Sequence, residues 1–327
     1  MTAATLVKSV VVDNGVADIQ TAPAVTTCYD LLDLCRDCGI SDFTDGIYLD
    51  DRTGRGAYLA AQRRQADYLL DQIDCDLESR VLDIGCGYGR ILAAAMCRGA
   101  EATGLTISPP QVAAGRDNGL DVRLCNYREL PHRAEFRDWR HSFDGTIANG
   151  SLEHFVQVED AAAGRADAIY AEFFRICRDL LRAGGRLATT AIHARRVGQV
   201  DPHDLLQGPD RWPRGSETYH AANLHRSFGG WYPEPGQLER CAAGSFELVA
   251  AEDGTHDYLL TSQYWMRQLR RALVFDPRSW PRAIATFRRY PRDAWQMLRC
   301  LLVDESWTYQ FRDPAPAQLW RQTWVAV

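Results

Sequence analysis

The sequence predicts an α/β protein built on a mostly parallel β-sheet. Between residues 57 and 193, short apolar segments alternate with segments of helical period, which is typical of parallel strands joined by helices. A glycine-rich turn follows the first of these strands. Of the 327 residues, 46% are apolar, which is enough for one large core with room for a smaller cap.

The elements of this region follow from apolar spacing and from the residues that begin and end helices. Gly99 closes one helix, because glycine adopts the left-handed conformation at a helix end at little cost. Ser108 begins another, with Pro109 at its first position and Gln111 at its third. The predicted elements, in chain order, are helix 57–73, strand 80–84, helix 91–98, strand 100–105, a helix from 108, strands 122–125 and 145–149, helix 163–182 ending before Gly184 and Gly185, and strand 186–192.

The pattern loosens after residue 193. Residues 194–235 are rich in proline, glycine, histidine and tryptophan and are too long for an ordinary connection, so we expect an insertion that covers the active site. Strands are predicted at 246–251 and 258–261, helices at 263–274 and 280–302, and a final strand at 318–326 on the sheet edge. The predicted organisation is a helical N-terminal cap segment (1–56), a core (57–193), the lid insertion (194–235) and a part that completes the sheet with C-terminal helices (236–327).

Composition excludes several classes of protein. The net charge is −6 and we find no block rich in lysine or arginine, so nucleic acid is not expected as a partner. Residues 1–30 lack the pattern of a signal peptide and no 18 consecutive residues are apolar, which predicts a cytoplasmic protein without an integral membrane segment. The CxxC of Cys35 and Cys38 lacks a second pair of ligands, so no metal site is predicted.

The glycine-rich turn is the first functional signal. Gly85, Gly87 and Gly89 stand at alternate positions after a strand, where their backbone can approach a ligand at a helix N-terminus. Asp83 lies two residues earlier and adds a carboxylate for a cationic ligand group. A dinucleotide fingerprint needs GxGxxG and an acidic residue about twenty positions later. This turn has GxGxG, and residues 106–108 read Thr-Ile-Ser, which argues against NAD(P) binding. A tight turn without a ligand is the plain alternative.

Three segments in order resemble one family. They are residues 81–89 (VLDIGCGYG), residues 104–108 (GLTIS) with Gln111, and residues 151–155 (SLEHF). Together they are similar to the class I methyltransferases of the cyclopropane-fatty-acid synthase group, and the likeness runs from about Tyr58 to Trp265. This resemblance implies a seven-stranded Rossmann-like sheet and S-adenosylmethionine as the methyl donor.

The resemblance also implies the residues of the cofactor site. Gln111 has a second interpretation as the capping-box partner of Ser108. Asn126 and Tyr127 occupy the place where the family binds adenine. The residues implied to bind the cofactor are Asp83, Gly85, Cys86, Gly87, Gly89, Thr106, Gln111, Asn126 and Tyr127.

In the family, an alkene attacks the sulfonium methyl group and a bound bicarbonate removes a proton from the resulting cation. The resemblance places Glu153 and Tyr258 on two positions of the bicarbonate site, and His154 is a further catalytic candidate. Their plain alternatives are a carboxylate at a strand end, a structural histidine and a core tyrosine. The family's histidine near residues 186–192 is replaced by Thr190, and its Tyr-Ser-Cys segment is missing, so the bicarbonate site is partial.

The resemblance therefore predicts an S-adenosylmethionine-dependent methyltransferase. Its expected reaction is methylation of an alkene carbon in a lipid, isoprenoid or other natural-product acceptor, with cyclopropanation as a further outcome. An N-methyltransferase of a small amine, a non-catalytic S-adenosylmethionine-binding regulatory protein and an NAD-dependent oxidoreductase are the alternatives. The expected partner is a small hydrophobic or lipid-like substrate, and a homo-oligomer is left open.

Overall fold

A computed structural model describes residues 35–36, 38–40 and 42–327. Most of the predicted N-terminal cap segment therefore lies outside the described residues. The strands are β1 Arg80–Ile84, β2 Glu101–Thr106, β3 Asp121–Leu124, β4 Phe143–Asn149, β5 Leu181–Ala194, β6 Phe246–Asp253 and β7 Ala317–Ala326. They form one sheet in the order β3-β2-β1-β4-β5-β7-β6. The strands from β1 to β5 pair in parallel, and β7 is antiparallel to both its neighbours. The predicted fold class is confirmed.

Helices connect the strands and cover the sheet. The α-helices are α1 Arg55–Gln72, α2 Arg90–Cys97, α3 Pro109–Asp117, α4 Val158–Ala162, α5 Ala166–Leu180, α6 Pro202–Leu206, α7 Glu217–Phe228, α8 Gln237–Ala242, α9 Thr255–Phe275, α10 Trp280–Arg289, α11 Pro291–Leu298 and α12 Ser306–Tyr309. Short 3-10 helices lie at Tyr127–Glu129, Ala134–Trp139, Leu152–His154 and Pro209–Arg211, and a π-helix spans Arg299–Val303. The predicted lid insertion thus holds α6 and α7.

The sheet is buried on both faces, as its continuous apolar strands require. Val81 packs with α1 and α2 on one face, whereas the next residue, Leu82, packs with α5 on the other. Ile147 and Ala148 of β4 divide in the same way, because successive strand side chains point to opposite faces. A further apolar cluster joins α7, α9 and α11.

Three predicted elements are wrong in extent or place. Helix α5 ends at Leu180, because Leu181 already has extended backbone angles (φ −81°, ψ 143°) and begins β5, which continues through Gly184 and Gly185. Residues 258–261 are helical and not extended: the Tyr258 amide donates to the Gly254 carbonyl at 3.0 Å within the first turn of α9. Strand β7 lies between β5 and β6, so the sheet edge is β6.

Candidate active site

The glycine turn between β1 and α2 has one position that is open to a ligand. Gly85, Gly87 and Gly89 all have positive φ, at 87°, 55° and 83°. A Cβ at Gly85 would meet the Ser151 side chain, and one at Gly89 would meet the Leu120 side chain. A Cβ at Gly87 would meet nothing within 4 Å. The outer two glycines thus serve the packing of the turn, whereas Gly87 leaves space beside the backbone.

Asp83, at the end of β1, is a buried carboxyl without a partner. It is 1% exposed, and neither of its oxygens has a hydrogen-bond partner. Burial raises its pKa to about 7, the charge of Asp42 adds to this shift, and Arg90 opposes it. A buried carboxylate of this kind is stabilised when a cationic group is placed beside it. The orphaned carboxyl and the open space at Gly87 fit a ligand with an ammonium group, as S-adenosylmethionine has.

These residues line the first cleft, which lies at the carboxyl ends of β1 and β4. Its empty space measures about 960 Å³, part of it open to solvent. Five of the predicted cofactor residues line it, namely Asp83, Gly85, Cys86, Gly87 and Gln111. The opposite wall includes Phe228 of α7 and Trp265 of α9. Ligands of open α/β sheets bind at this end of the strands.

Thr106 and Gln111 act as a pair beside the turn. The Thr106 hydroxyl donates to Gln111 Oε1 at 2.5 Å and accepts from the Ser108 amide at 3.1 Å. Ser108 itself makes no side-chain cap bond, although it stands at the N-cap position of α3. The capping-box interpretation of Gln111 is therefore wrong, because its side chain turns back to β2.

Asn126 and Tyr127 do not line the first cleft. Asn126 Oδ1 accepts from the Arg128 amide at 3.1 Å and so begins a 3-10 helix. The Tyr127 ring packs against Phe155, with ring centroids 4.4 Å apart, and its buried hydroxyl has no partner. Their contact with adenine stays a prediction.

A second cleft, of about 900 Å³ with part of it open to solvent, adjoins the first. Its wall is mostly apolar and is built by the lid insertion, the end of β5 and the segment before β7. His154, Phe228 and Trp307 line both clefts. The two clefts therefore meet at these three side chains.

Glu153 faces this second cleft from the 3-10 helix that follows β4. It is 4% exposed, and its Oε2 atom has no hydrogen-bond partner. Burial raises its pKa to about 8, and backbone hydrogen bonds oppose the shift. Burial lowers the pKa of the adjacent His154 to about 4, so that imidazole is neutral. The Trp231 amide donates to the Glu153 carbonyl at 2.8 Å and fixes the lid to this helix.

Tyr258 and Thr190 are satisfied elsewhere. The Tyr258 hydroxyl lies 3.5 Å from the Phe43 carbonyl oxygen, and the side chain lines neither cleft. Burial raises its pKa well above the usual value, so the hydroxyl stays protonated. Thr190 donates to Asn149 Oδ1 and accepts from the Gly150 amide, each at 2.8 Å. Among Glu153, Tyr258 and Thr190, only Glu153 lines a cleft with a polar atom that has no hydrogen-bond partner.

A buried ion pair that the sequence motifs do not predict lies behind the first cleft. Arg321 of β7, 3% exposed, donates through Nε to Asp45 at 3.0 Å and through a terminal nitrogen to Asp257 at 2.9 Å. Gln65 of α1 bridges Asp45 and Asn149 at 2.6 and 2.8 Å. This network holds the segment that carries Asp42, Phe43 and Thr44 into the cleft wall. No local pattern signals it, because Asp45 and Arg321 are 276 residues apart.

Two further properties concern the part of the chain that the structure describes. None of its helices combines the length and the apolar character needed to cross a bilayer. Within the same residues, no group of three or more His, Cys, Asp or Glu side chains could hold a metal ion.

Comparisons with known proteins place the chain in a family. Residues 54–290 match the family model described as mycolic acid cyclopropane synthetase. Tuberculostearic acid methyltransferase UfaA1 of Mycobacterium tuberculosis is 31% identical over 41% of this chain and 29% of that protein. A probable fatty acid methyltransferase of Pseudomonas putida is 27% identical over 65% of this chain and 49% of that protein. The chain thus spans half or less of the length of these two relatives.

The fold agrees with a solved member of the group. The cyclopropane synthase MmaA2 from Mycobacterium tuberculosis superposes with a TM-score of 0.68 and 17% identity, over 94% of this chain and all of that one. The resemblance inferred from the sequence motifs is confirmed, as is the group's use of S-adenosylmethionine. The chain belongs to the mycolic acid cyclopropane synthetase family of class I methyltransferases.

Proposed function

We propose that this protein transfers the methyl group of S-adenosylmethionine to an alkene carbon of an apolar, lipid-like or isoprenoid acceptor. The observation that carries the proposal is the junction of the two clefts at His154, Phe228 and Trp307, beside the Glu153 carboxyl, whose Oε2 atom has no hydrogen-bond partner. One cleft has the features of a cofactor site, and the other is a mostly apolar space.

The cofactor supplies a methyl group that is activated by its positive sulfur. In this proposal Asp83 holds the ammonium group and Gly87 allows the close approach of the ligand. Phe228 and Trp307 exclude water from the junction and present aromatic faces to a developing cation. The gain in rate comes from holding the acceptor carbon in line with the methyl group.

The lining of the second cleft supports an acceptor without a negative charge. Three carboxyl side chains line it, those of Glu153, Glu217 and Glu234, and no arginine or lysine is among its described residues. A phosphate or carboxylate group placed there would meet like charges. A neutral alkene within a hydrocarbon or prenyl chain avoids this repulsion.

Glu153 is the group best placed to take a proton after methyl transfer. A carboxylate with a raised pKa is a stronger base than an exposed one, and proton transfer needs hydrogen-bond reach of the substrate. The partial bicarbonate site supports proton removal by the protein itself, because Thr190 and Tyr258 are hydrogen-bonded elsewhere. We therefore propose a methylated alkene as the main product in place of a cyclopropane.

The predicted lid insertion is part of the same proposal. Residues 194–235 act as a lid, because α7 supplies Phe228 to both clefts and the Ala194 amide donates to the Pro233 carbonyl at 3.0 Å, which closes the insertion on β5. Opening of this segment would admit the acceptor.

The test combines binding and product analysis. Calorimetry should detect S-adenosylmethionine binding to the purified chain, and mass spectrometry should detect transfer of a deuterated methyl group to a member of a panel of unsaturated lipids and isoprenoid alcohols. The Glu153→Gln variant, which leaves the first cleft intact, should bind the cofactor and form less product. Binding with no product on any lipid, isoprenoid or amine acceptor would contradict the proposal and favour a regulatory protein.

N-methylation of an amine is a second candidate, favoured by the acidic lining of the second cleft. Glu217 is paired with Arg196 at 3.4 Å, whereas the Glu234 carboxyl accepts a hydrogen bond from the Gly198 amide at 2.8 Å. Glu153 and Glu234 could therefore hold an ammonium group. An amine panel under the same assay separates the two reactions by the position of the label.

A further inference from the structure

Helices α9 to α11 carry an excess of positive charge in an acidic protein. Nine arginines and two aspartates lie between residues 267 and 299, although acidic residues outnumber basic ones over the whole chain, 43 to 37. Five of the exposed arginines are Arg278, Arg282, Arg288, Arg289 and Arg292. These arginines do not form a basic block in the sequence, because apolar residues separate them. The structure places Arg282, Arg288 and Arg289 on α10, Arg292 on α11 and Arg278 in the connection before α10.

Large apolar side chains are exposed among these arginines. Phe275 is 77% exposed, Ile284 51% and Trp280 44%. Trp280 and Ile284 line one shallow groove, and Arg288 lines it with them. Because these apolar groups are exposed, they do not contribute to the hydrophobic core. Exposed apolar groups beside charged ones are typical of an interaction surface. We call this face, formed by residues 274–292, the basic apolar surface.

We propose that the basic apolar surface binds the interface of an anionic lipid bilayer. An amphipathic helix with tryptophan and aliphatic groups on one side and arginines beside them lies in the plane of such an interface. Guanidinium groups are attracted to anionic headgroups, while Trp280, Ile284 and Phe275 enter the acyl boundary. The charge excess of this face in an acidic chain supports a negatively charged partner, and its exposed hydrocarbon groups favour lipid over nucleic acid.

One of these helices, α9, forms part of the wall of the first cleft. Trp265, Met266 and Leu269 of α9 line that cleft, whereas Phe275 at the end of the same helix is on the basic apolar surface. Leu269 and Phe287 also line a small cavity between α9, α10 and α11. Binding at an interface would thus bring a bilayer to the helix that borders the cofactor. The inference does not depend on methyl transfer, since vesicle binding can be measured without turnover.

The experiment is flotation of the full chain with vesicles of phosphatidylcholine alone or of phosphatidylcholine mixed with phosphatidylglycerol. We expect binding to the anionic vesicles only, and its loss in about 1 M salt, where the Debye length falls to about 3 Å. The double variant Arg288→Glu/Arg292→Glu should bind at least about tenfold more weakly. The control Arg63→Glu/Arg175→Glu reverses two exposed arginines on α1 and α5 and should bind as the parent does.

Phe275→Ser tests the apolar part of the surface without changing its charge. We expect this variant to bind anionic vesicles more weakly while its unfolding temperature is unchanged, because the side chain is largely exposed. Equal binding to both kinds of vesicle, equal loss in the control variant, or no binding to either vesicle would overturn the proposal. So would a dimer in solution that Phe275→Ser dissociates, or duplex DNA that binds the parent chain as tightly as the anionic vesicles do.

Discussion

Replacing Asp83 by asparagine should stabilise the fold and weaken cofactor binding at the same time. The carboxyl is buried, both of its oxygens lack partners, and its pKa is raised to about 7. An unpaired buried charge opposes folding, whereas the same charge attracts a cationic ligand. Asparagine keeps the shape of the side chain and removes the charge.

The magnitude follows from the pKa difference. Between about pH 4 and about pH 7, Asp83 is protonated in the folded protein and ionised in the unfolded chain. The penalty is therefore absent below about pH 4 and complete above about pH 7. Each pKa unit corresponds to about 1.4 kcal/mol, so the shift amounts to roughly 4 kcal/mol as a ceiling. The change in unfolding free energy caused by Asp83→Asn should be more favourable at pH 8 than at pH 4 by up to this amount.

The assay is urea unfolding of parent and variant at both pH values, with calorimetry of S-adenosylmethionine binding at pH 8. Comparing two pH values cancels the hydrogen-bond cost of the new amide, which does not titrate. Glu153→Gln is the matched control, because Glu153 is also buried, with one unpartnered oxygen, but lines the second cleft. It should show a similar dependence of stability on pH and unchanged cofactor affinity. If Asp83→Asn binds the cofactor as the parent does, or if its effect on stability is the same at pH 4 and pH 8, our account of this carboxyl is refuted.

Three further predictions concern the two clefts. Gly87→Val should abolish cofactor binding, while Gly119→Val, which also has positive φ and open space at the Cβ but is remote from the clefts, should strain the fold without changing affinity measured by calorimetry. If Glu153 is the base, kcat should rise with pH with a midpoint near pH 8, and this limb should vanish in Glu153→Gln; a flat profile in the parent would exclude the role. Activity should persist in bicarbonate-free buffer, and Tyr258→Phe should lower kcat less than about tenfold, because the hydroxyl lies against the Phe43 carbonyl; a strict bicarbonate requirement would restore the family's base.

Local patterns predicted the elements that form the first cleft. Strand β1 was predicted at residues 80–84, which is its observed extent, because a short apolar run before a glycine turn has few other interpretations. Residues 258–261 were misassigned because a short apolar run fits both helix and strand. Tyr258, Thr261 and Tyr264 are buried at helical spacing, and only the longer window reveals it.

Non-local features could not be predicted in this way. The pairing of Asp45 with Arg321 and the meeting of the clefts at His154 depend on which elements the sheet order brings together. The family resemblance supplied Glu153, but its lack of a partner and its raised pKa follow from burial in the folded chain. The position of β7 inside the sheet has the same origin.

The position of β7 between β5 and β6 means that the sheet is completed only after the last strand has been synthesised. Strand β6 leaves the ribosome well before β7, yet its partner in the sheet is β7, and the whole of α9 to α12 lies between them in the chain. Until β7 inserts, the unpaired edges of β5 and β6 are both exposed, which is a template for association with other chains. The parallel strands from β1 to β5 have their partners by the time β5 is made, so the nascent chain passes through an incomplete sheet. A chain that ends within α10 or α11 would therefore leave the edges of β5 and β6 open.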